Sequence, residues 1–479
     1  MASPIPQPRG VPLLGNIFDI DQKNTWGSLR KLADKHGPIF KINALGHQIV
    51  FIGSAALLEE ICDERRFRKC VTGPIVEIRR AVHDSLFTAF HGEESWGIAH
   101  RIMAPHVTPV AVQTSVDGIQ DCVGDLIRKW TTTTTLEGAD GATSTAQRID
   151  VNSDLKRLDL ATTLYCFAHQ RENFLDDRPE PPMIAAMADA TLESMKRPAR
   201  PKLLTWLLHQ RKFDRDIRTM RSFGADIVSS RKYVQTLPER DMLHSLLNDA
   251  DPQTGKKLTD EQVIDEIINL FIGSATSPCL LAFALWYLIQ HPEEIRKARE
   301  EIDSVLPEGS SRITTANLKK LVYCEAILRE AFRLSAPAPG FNIEPIPAED
   351  SASAAEKEEP IMLAGGKYAI PRNQAMIAIL SAVNRDPEVF EDPESFKPER
   401  MLGEKYDRLP SAVKKGFGNG KRQCFGYLFA WQCCLIVLVE IIRKVDLKFE
   451  EGVGGEMDIN GAFCVEPLGF LARVSARAE

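Results

Sequence analysis

The stretch from Thr259 to Pro292 constrains the fold of this chain more than any other. Thr259, Asp260, Glu261 and Gln262 form a capping-box start, and apolar residues then recur at helical spacing through Ile264, Ile267, Leu270 and Phe271 to Ile289, before His291-Pro292. At 1.5 Å per residue this is a rod of about 45 Å, long enough to cross an entire domain. Its middle is unusual, because Ile272-Gly273-Ser274-Ala275-Thr276-Ser277-Pro278 places a glycine, small polar residues and a proline inside an apolar helix. Pro278 has no N–H to offer the Ser274 carbonyl, so a kink or bulge is expected there. Taken alone, the segment fits a kinked core helix as well as a functional one.

Around this rod the pattern is mainly helical. Residues 4 to 12 are proline-rich and read as an extended arm; Trp26 to His36 has helical spacing; Ile39–Ile42 and Gln48–Ile52 flank a Gly46-centred turn and read as a β-hairpin. From Ala55 to about Gln290 the period is mostly helical, interrupted at Thr131–Gln147 and Arg197–Lys202, which read as loops. Short β-like pieces between Asn342 and Ile379 surround the acidic Glu349–Pro360 stretch, read as a solvated insertion.

Composition narrows the classes. With 44% hydrophobic and 26% charged residues the chain buries a core, and a net charge of −7 argues against a general nucleic-acid binder. Ten cysteines without a CxxC pair match neither a zinc framework nor a small disulfide scaffold. The first ten residues lack the apolar run of a signal peptide, and no stretch reaches roughly 18 uninterrupted apolar residues, so a cytoplasmic protein without an integral membrane segment is expected.

The chemistry concentrates in Gly416-Phe417-Gly418-Asn419-Gly420-Lys421-Arg422-Gln423-Cys424-Phe425-Gly426, just before the helical run Tyr427–Ile442. A phosphate loop is a poor match, since the required glycine before Gly420-Lys421 is missing and Arg422 stands where Ser or Thr belongs. The spacing instead puts one cysteine on a glycine-rich loop at a helix N-terminus with a cation two residues earlier, an environment that favours a metal-bound thiolate. A buried free cysteine is the plainer alternative.

Phe417-x-x-Gly420-x-Arg422-x-Cys424-x-Gly426 resembles the haem-binding loop of the cytochrome P-450 superfamily at all five specified positions. Glu330-Ala331-Phe332-Arg333 resembles its ExxR pair, Phe396-Lys397-Pro398-Glu399-Arg400 the segment whose arginine completes an ion-pair network with Glu330 and Arg333, and Gly273–Ser277 the oxygen-binding helix. The resemblance implies a mainly α fold with a long central helix and small β-sheets, one haem domain over residues 1–479, and haem b bound through Cys424. Closer similarity is to the soluble self-sufficient fatty-acid hydroxylases, through Ile5-Pro6-Gln7-Pro8, Cys62-Asp63-Glu64-x-Arg66-Phe67, Leu86-Phe87-Thr88, Trp96-x-x-Ala99-His100 and Asp251-Pro252-Gln253-Thr254-Gly255. That likeness implies cofactor contacts from Lys69, Trp96, His100, Phe417, Arg422 and Gly426. It implies a pocket lined by Phe87, Ile272, Ala338 and Phe463, and proton delivery involving Gly273, Thr276 and Ser274.

Three departures follow. The family's small residue and acid on the oxygen helix are replaced by Ile272 and Ala275; the alanine cannot relay a proton, which leaves Ser274, Ser277 and water. His47 and Phe51 stand where the similar hydroxylases carry the Arg and Tyr that hold a fatty-acid carboxylate, a loss of charge-assisted hydrogen bonds worth roughly 1.5–3 kcal/mol each. Too little sequence follows Cys424 for a flavin reductase, and Lys414, Lys415 and Lys421 offer a basic surface to an external NADPH-dependent reductase or flavodoxin-like donor. The expected activity is insertion of one oxygen atom from O2 into a mid-sized lipophilic substrate, a fatty-acid derivative or secondary metabolite. Two alternatives stay open: a haem-thiolate catalyst that is not a monooxygenase, and a haem-binding sensor without turnover.

Overall fold

A computed structural model describes residues 2–477 apart from 133–135, 138–142, 145, 177, 233–239, 307–311, 348–358 and 451–456. In chain order the elements that position the site are α1 (Thr25–His36), β1 (Ile39–Ala44), β2 (His47–Ile52), β3 (Phe67–Lys69), α2 (Glu94–Met103) and α3 (Val116–Thr131). Then come α4 (Val151–Ala168), α5 (Pro182–Lys196), α6 (Gln210–Lys232), α7 (Asp260–Ser274), α8 (Thr276–Gln290) and α9 (Val322–Ser335). The remainder are β4 (Gly340–Pro345), β5 (Met376–Ile379), α10 (Tyr427–Lys444), β6 (Asp458–Gly461) and β7 (Val465–Leu468).

The apolar rod is therefore two helices. The expected capping box is present, with Thr259 accepting from Gln262 N and the Gln262 side chain accepting from Thr259 N. At Ala275 the backbone turns (φ −55°, ψ −13°) and α8 begins one residue later. The cause is the one read from the sequence: Pro278 removes the bond to the Ser274 carbonyl, so the α-helical ladder breaks one turn before the proline. Every α8 residue from Ser277 to Trp286 is buried, and the helix packs against α4, α9 and α10. A helix apolar on all sides belongs in a core, and each fully buried Leu or Phe there contributes about 1.5–3 kcal/mol. By length and composition Asp260–Gln290 is the one helical run among the described residues that could cross a membrane, yet 67% of its most apolar window is buried inside the protein.

The hairpin forms as expected, with Ile39 opposite Ile52, and joins a five-stranded sheet in the order β1-β2-β5-β4-β3. Only the β2–β5 pairing in it is parallel. The proline-rich arm runs alongside, with Lys41 N donating to Pro6 O at 2.9 Å. Two loop readings need correction. Within Thr131–Gln147, Leu136–Glu137 pairs antiparallel with Thr143–Ser144; Arg197–Ala199 is a 3-10 turn, and a helix starts at Lys202, helped by the fixed φ of Pro198 and Pro201. Of the Glu349–Pro360 stretch, residues 349–358 lie outside the described residues.

Candidate active site

The Cys424 loop is shaped by glycines that take positive φ, Gly418 at +81° and Gly420 at +62°. A Cβ on Gly418 would meet Lys69 Nζ at 2.7 Å, and one on Gly420 would collide with Glu64, so the loop packs tightly enough to require glycine twice. The turn closes through Cys424 N donating to Phe417 O at 2.8 Å, and Gly426 is the N-cap of α10. Burial pushes the Cys424 thiol up, while the backbone N–H of Gly426 and the charge of Lys69 pull the other way. Those two groups favour a thiolate, and coordination to a metal ion deprotonates such a thiol outright.

Two cations border this loop, Lys69 beside the sulfur and Arg422 on the loop itself. Lys69 Nζ donates to Arg422 O at 2.6 Å and is pushed down to about 8, mainly by burial. The Arg422 guanidinium lies 5.1 Å over the Trp96 ring, and Trp96 stacks on His100 at 4.9 Å. Arg101, next to His100 on α2, holds the buried Asp251 with two hydrogen bonds of 2.5 and 2.8 Å, which ties α2 to the turn preceding α7. Among the described residues neither Lys69 nor Arg422 has a carboxylate ion-pair partner. Partly buried cations without a counter-charge are costly unless an anion joins them. A flat group with two carboxylates and a central metal fits this donor set, which is what haem b would bring.

Beneath the loop lies the buried Glu330. It accepts two 2.8 Å hydrogen bonds from Arg333, while Arg400 Nε stands 3.4 Å from Glu330 Oε1. Arg333 also donates to the carbonyls of Asn384, Pro393 and Ser395. The three residues read from the two motifs are thus one cluster. Phe417 stacks on Phe332 at 5.0 Å and meets the edge of Trp431 at 6.2 Å, which couples the loop to α9 and α10.

On the central helix pair, Gly273 is exposed with no atom within 4 Å of where a Cβ would stand, and Thr276 Oγ1 donates to Gly273 O at 3.4 Å. Phe87 and Phe463 come together edge to face at 6.5 Å, Phe463 from the turn between β6 and β7. Ala338 lies half-buried in the bend between α9 and β4. Ile272 is only 2% exposed and forms part of a cavity wall together with Phe463. The Ser274 hydroxyl points to α4, donating to Asp159 at 2.6 Å. His47 is exposed, whereas Phe51 turns into the core and stacks on Phe40 at 5.2 Å. Of the three loop lysines, Lys414 donates to Asp407 O and Lys415 to Asn419 Oδ1, and Lys421 is exposed.

The sequence reading missed two acids, the buried Glu266 and the half-buried Asp159. Glu266 accepts the Leu86 N–H at 3.0 Å and so fixes the turn that carries Phe87; Asp159 faces Ser274. Glu266 lies on an apolar helical stripe between Val263 and Leu270, and an acid on such a stripe was the available signal; Asp159 has polar helical neighbours at Lys156, Thr162 and Thr163 and offered none. Burial raises the Glu266 carboxyl from 4.5 to about 8. The folded protein then holds a proton that the unfolded chain has released, so between about 4.5 and 8 stability falls as pH rises. Glu266→Gln keeps the acceptor for Leu86 and cannot ionise; its melting temperature is expected to fall less across that range than the parent's. Parallel pH curves for the two proteins would contradict the reading.

The sequence model of the cytochrome P-450 family matches residues 5–472. Over 478 residues the chain is 34% identical to a bifunctional cytochrome P-450/NADPH–P-450 reductase of Aspergillus oryzae, covering 99% of this chain and 42% of that protein. It is 35% identical over 478 residues to a self-sufficient cytochrome P-450 monooxygenase of Exserohilum turcicum, covering 99% and 42%. A bifunctional enzyme of the same description from Acremonium egyptiacum is 33% identical over 483 residues, covering 100% and 44%. The chain thus spans less than half the length of these relatives. With the kinked helix, the Glu330 cluster and the cysteine loop following one another in this order, the chain belongs to the cytochrome P-450 family, whose cofactor is haem b.

Proposed function

We propose that this chain is a single haem domain that oxidises a mid-sized lipophilic substrate with O2, using electrons from an NADPH-dependent reductase. The observation that carries the reading is the Cys424 loop, with its flanking cations Lys69 and Arg422, in a chain whose central helix opens at Gly273 and Thr276. When bound, haem supplies oxygen activation, because a thiolate ligand donates electron density that favours O–O cleavage. The rest falls to the protein. Lys69, Arg422, Trp96 and His100 would hold and orient the propionates, Cys424 would supply the metal ligand, and Phe417 and Gly426 shape the loop around it. Gly273 leaves room on the helix, while Thr276 and Ser274 provide hydroxyls for proton delivery. Phe87, Ile272, Ala338 and Phe463 bind the substrate through apolar contact.

The donor is a separate reductase, or a reductase in the same polypeptide as the names of the relatives describe. The surface beside Lys421 suits an acidic docking face. Ten free thiols agree with a reducing, cytoplasmic setting. With Phe51 in the core and His47 the nearest replacement for a fixed cation, neutral lipophiles are favoured over free fatty acids. In an optical spin-state titration, methyl laurate is expected to shift the haem spectrum at lower concentration than lauric acid. A shift given by the free acid alone would overturn the substrate reading. Ala275 favours one second reading, a haem-thiolate catalyst that rearranges or uses peroxides; product formed without NADPH and O2 would support it.

A further inference from the structure

Ala275 leaves the kinked helix without an acid where proton delivery calls for one, yet an acid stands beside the kink on a different helix. Asp159 of α4 accepts a 2.6 Å hydrogen bond from Ser274 Oγ, the residue immediately before Ala275. Asp159, Ser274 and Ala275 line one cavity of about 260 Å³, which extends on one side to Ile272 and Phe463 and on another to Lys156 and Glu466. A water occupies about 30 Å³ in the liquid, so this largely apolar space, with Asp159, Ser274, Lys156 and Glu466 as polar points in its wall, has room for several. The cavity therefore reaches from the acid to an aromatic that pairs with Phe87 over the substrate site.

We propose that Asp159, held by Ser274, is the acid of the proton relay in this enzyme, acting through cavity water beside Ala275. The proposal rests on the monooxygenase reading above. In the relay the Asp159 O–H bond breaks as its proton passes to a cavity water, and that water passes a proton on towards the helix break at Ala275, which lines the same cavity. The Ser274 hydroxyl, donating to Asp159, stabilises the carboxylate left behind. The carboxylate then regains a proton from water entering past Lys156 and Glu466.

The surroundings suit this role. Lys156 is the cation on the same helix, but it is committed to Glu466 at 2.7 Å; Asp189 of α5 is committed to Lys212 at 2.5 Å. The other titratable groups facing this region are thiols, Cys279 of α8, Cys433 and Cys434 of α10, and Cys464. Among the described residues no cation pairs with Asp159, and burial raises it to about 8 against the Ser274 hydrogen bond. A carboxyl shifted towards its neutral form in this way carries a proton it can give up, which is what a general acid needs.

The test uses Asp159→Asn, which preserves shape, with Ser274→Ala as a second variant. Both are expected to keep the reduced carbon-monoxide spectrum and the methyl laurate spin shift. With reductase, NADPH and O2, Asp159→Asn is expected to lose at least about tenfold in product per NADPH consumed, the electrons appearing as hydrogen peroxide, a general acid being worth about 10²–10⁴ in rate. Adding Ala275→Glu to Asp159→Asn should restore coupling, which a structural role would not predict. Independently of turnover, infrared difference spectra should show a protonated carboxyl band that vanishes as pH rises through about 8, is absent from Asp159→Asn and is shifted in Ser274→Ala. Full coupling in Asp159→Asn, or no such band, overturns the relay alone. Failure of the unsubstituted chain to form any reductase- and O2-dependent product overturns the proposed activity and the relay with it.

Discussion

Cys424→Ala is expected to abolish the reduced carbon-monoxide band characteristic of haem-thiolate proteins while leaving the helical circular-dichroism spectrum in place. The reasoning is local. Cys424 sits on a surface loop whose shape comes from Gly418, Gly420 and the hydrogen bond to Phe417 O, all backbone features that survive removal of the sulfur. Its thiolate would be favoured by the Gly426 N–H and Lys69 against a burial cost, so the side chain has a chemical role that alanine cannot fill. Cys424→His offers an imidazole instead and is expected to bind haem with a spectrum displaced from the thiolate position, because the electron push of sulfur is lost. A thiolate-type band that persisted in either variant would assign the ligand elsewhere among the ten cysteines.

Arg333→Ala is expected to be the most damaging single change to the fold. Glu330 is fully buried, and Arg333 satisfies it through two 2.8 Å hydrogen bonds while pinning three carbonyls from the segment that follows β5. Removing one partner of a buried pair strands the other charge and costs about 3–5 kcal/mol, against a total stability of about 5–15 kcal/mol. Arg400, at 3.4 Å, does not make up the difference, since its other donors serve the carbonyls of Glu391 and Asp392. Arg333→Lys should recover little, because an ammonium cannot reproduce a planar fork that reaches a carboxylate and three carbonyls at once. Urea unfolding measures the loss, and haem retention should fall in parallel as the loop loses its support from α9. A change below about 1 kcal/mol would show that the cluster contributes little to stability.

What the sequence revealed follows from how local each feature is. The Cys424 loop spans eleven contiguous residues, and the Glu330–Arg333 pair lies one helical turn apart, so spacing alone suffices to read them. Pro278 announced a break in the rod, though the distance over which it acts put the break at Ala275. Lys69, Trp96 and His100 carry no signal by themselves; family likeness singled them out, and only the folded chain stacks Trp96 on His100 beneath Arg422. Family likeness put Phe51 where a carboxylate-holding tyrosine stands in the similar hydroxylases, but its strand is buried from Val50 to Ile52 and Phe51 stacks on Phe40 in the core. Asp159 was invisible because its meaning depends on Ser274, 115 positions away in the chain. Contacts of that separation are set by helix packing, which periodicity does not encode.

The fate of labelled oxygen tests the monooxygenase chemistry most directly. The haem-loaded chain, supplied with an NADPH-dependent cytochrome P-450 reductase and methyl laurate under heavy-isotope dioxygen, is predicted to yield hydroxylated ester carrying one labelled oxygen atom per molecule. No label in the product, or the same product formed without dioxygen or NADPH, would contradict the assignment of this chain as a haem-thiolate monooxygenase.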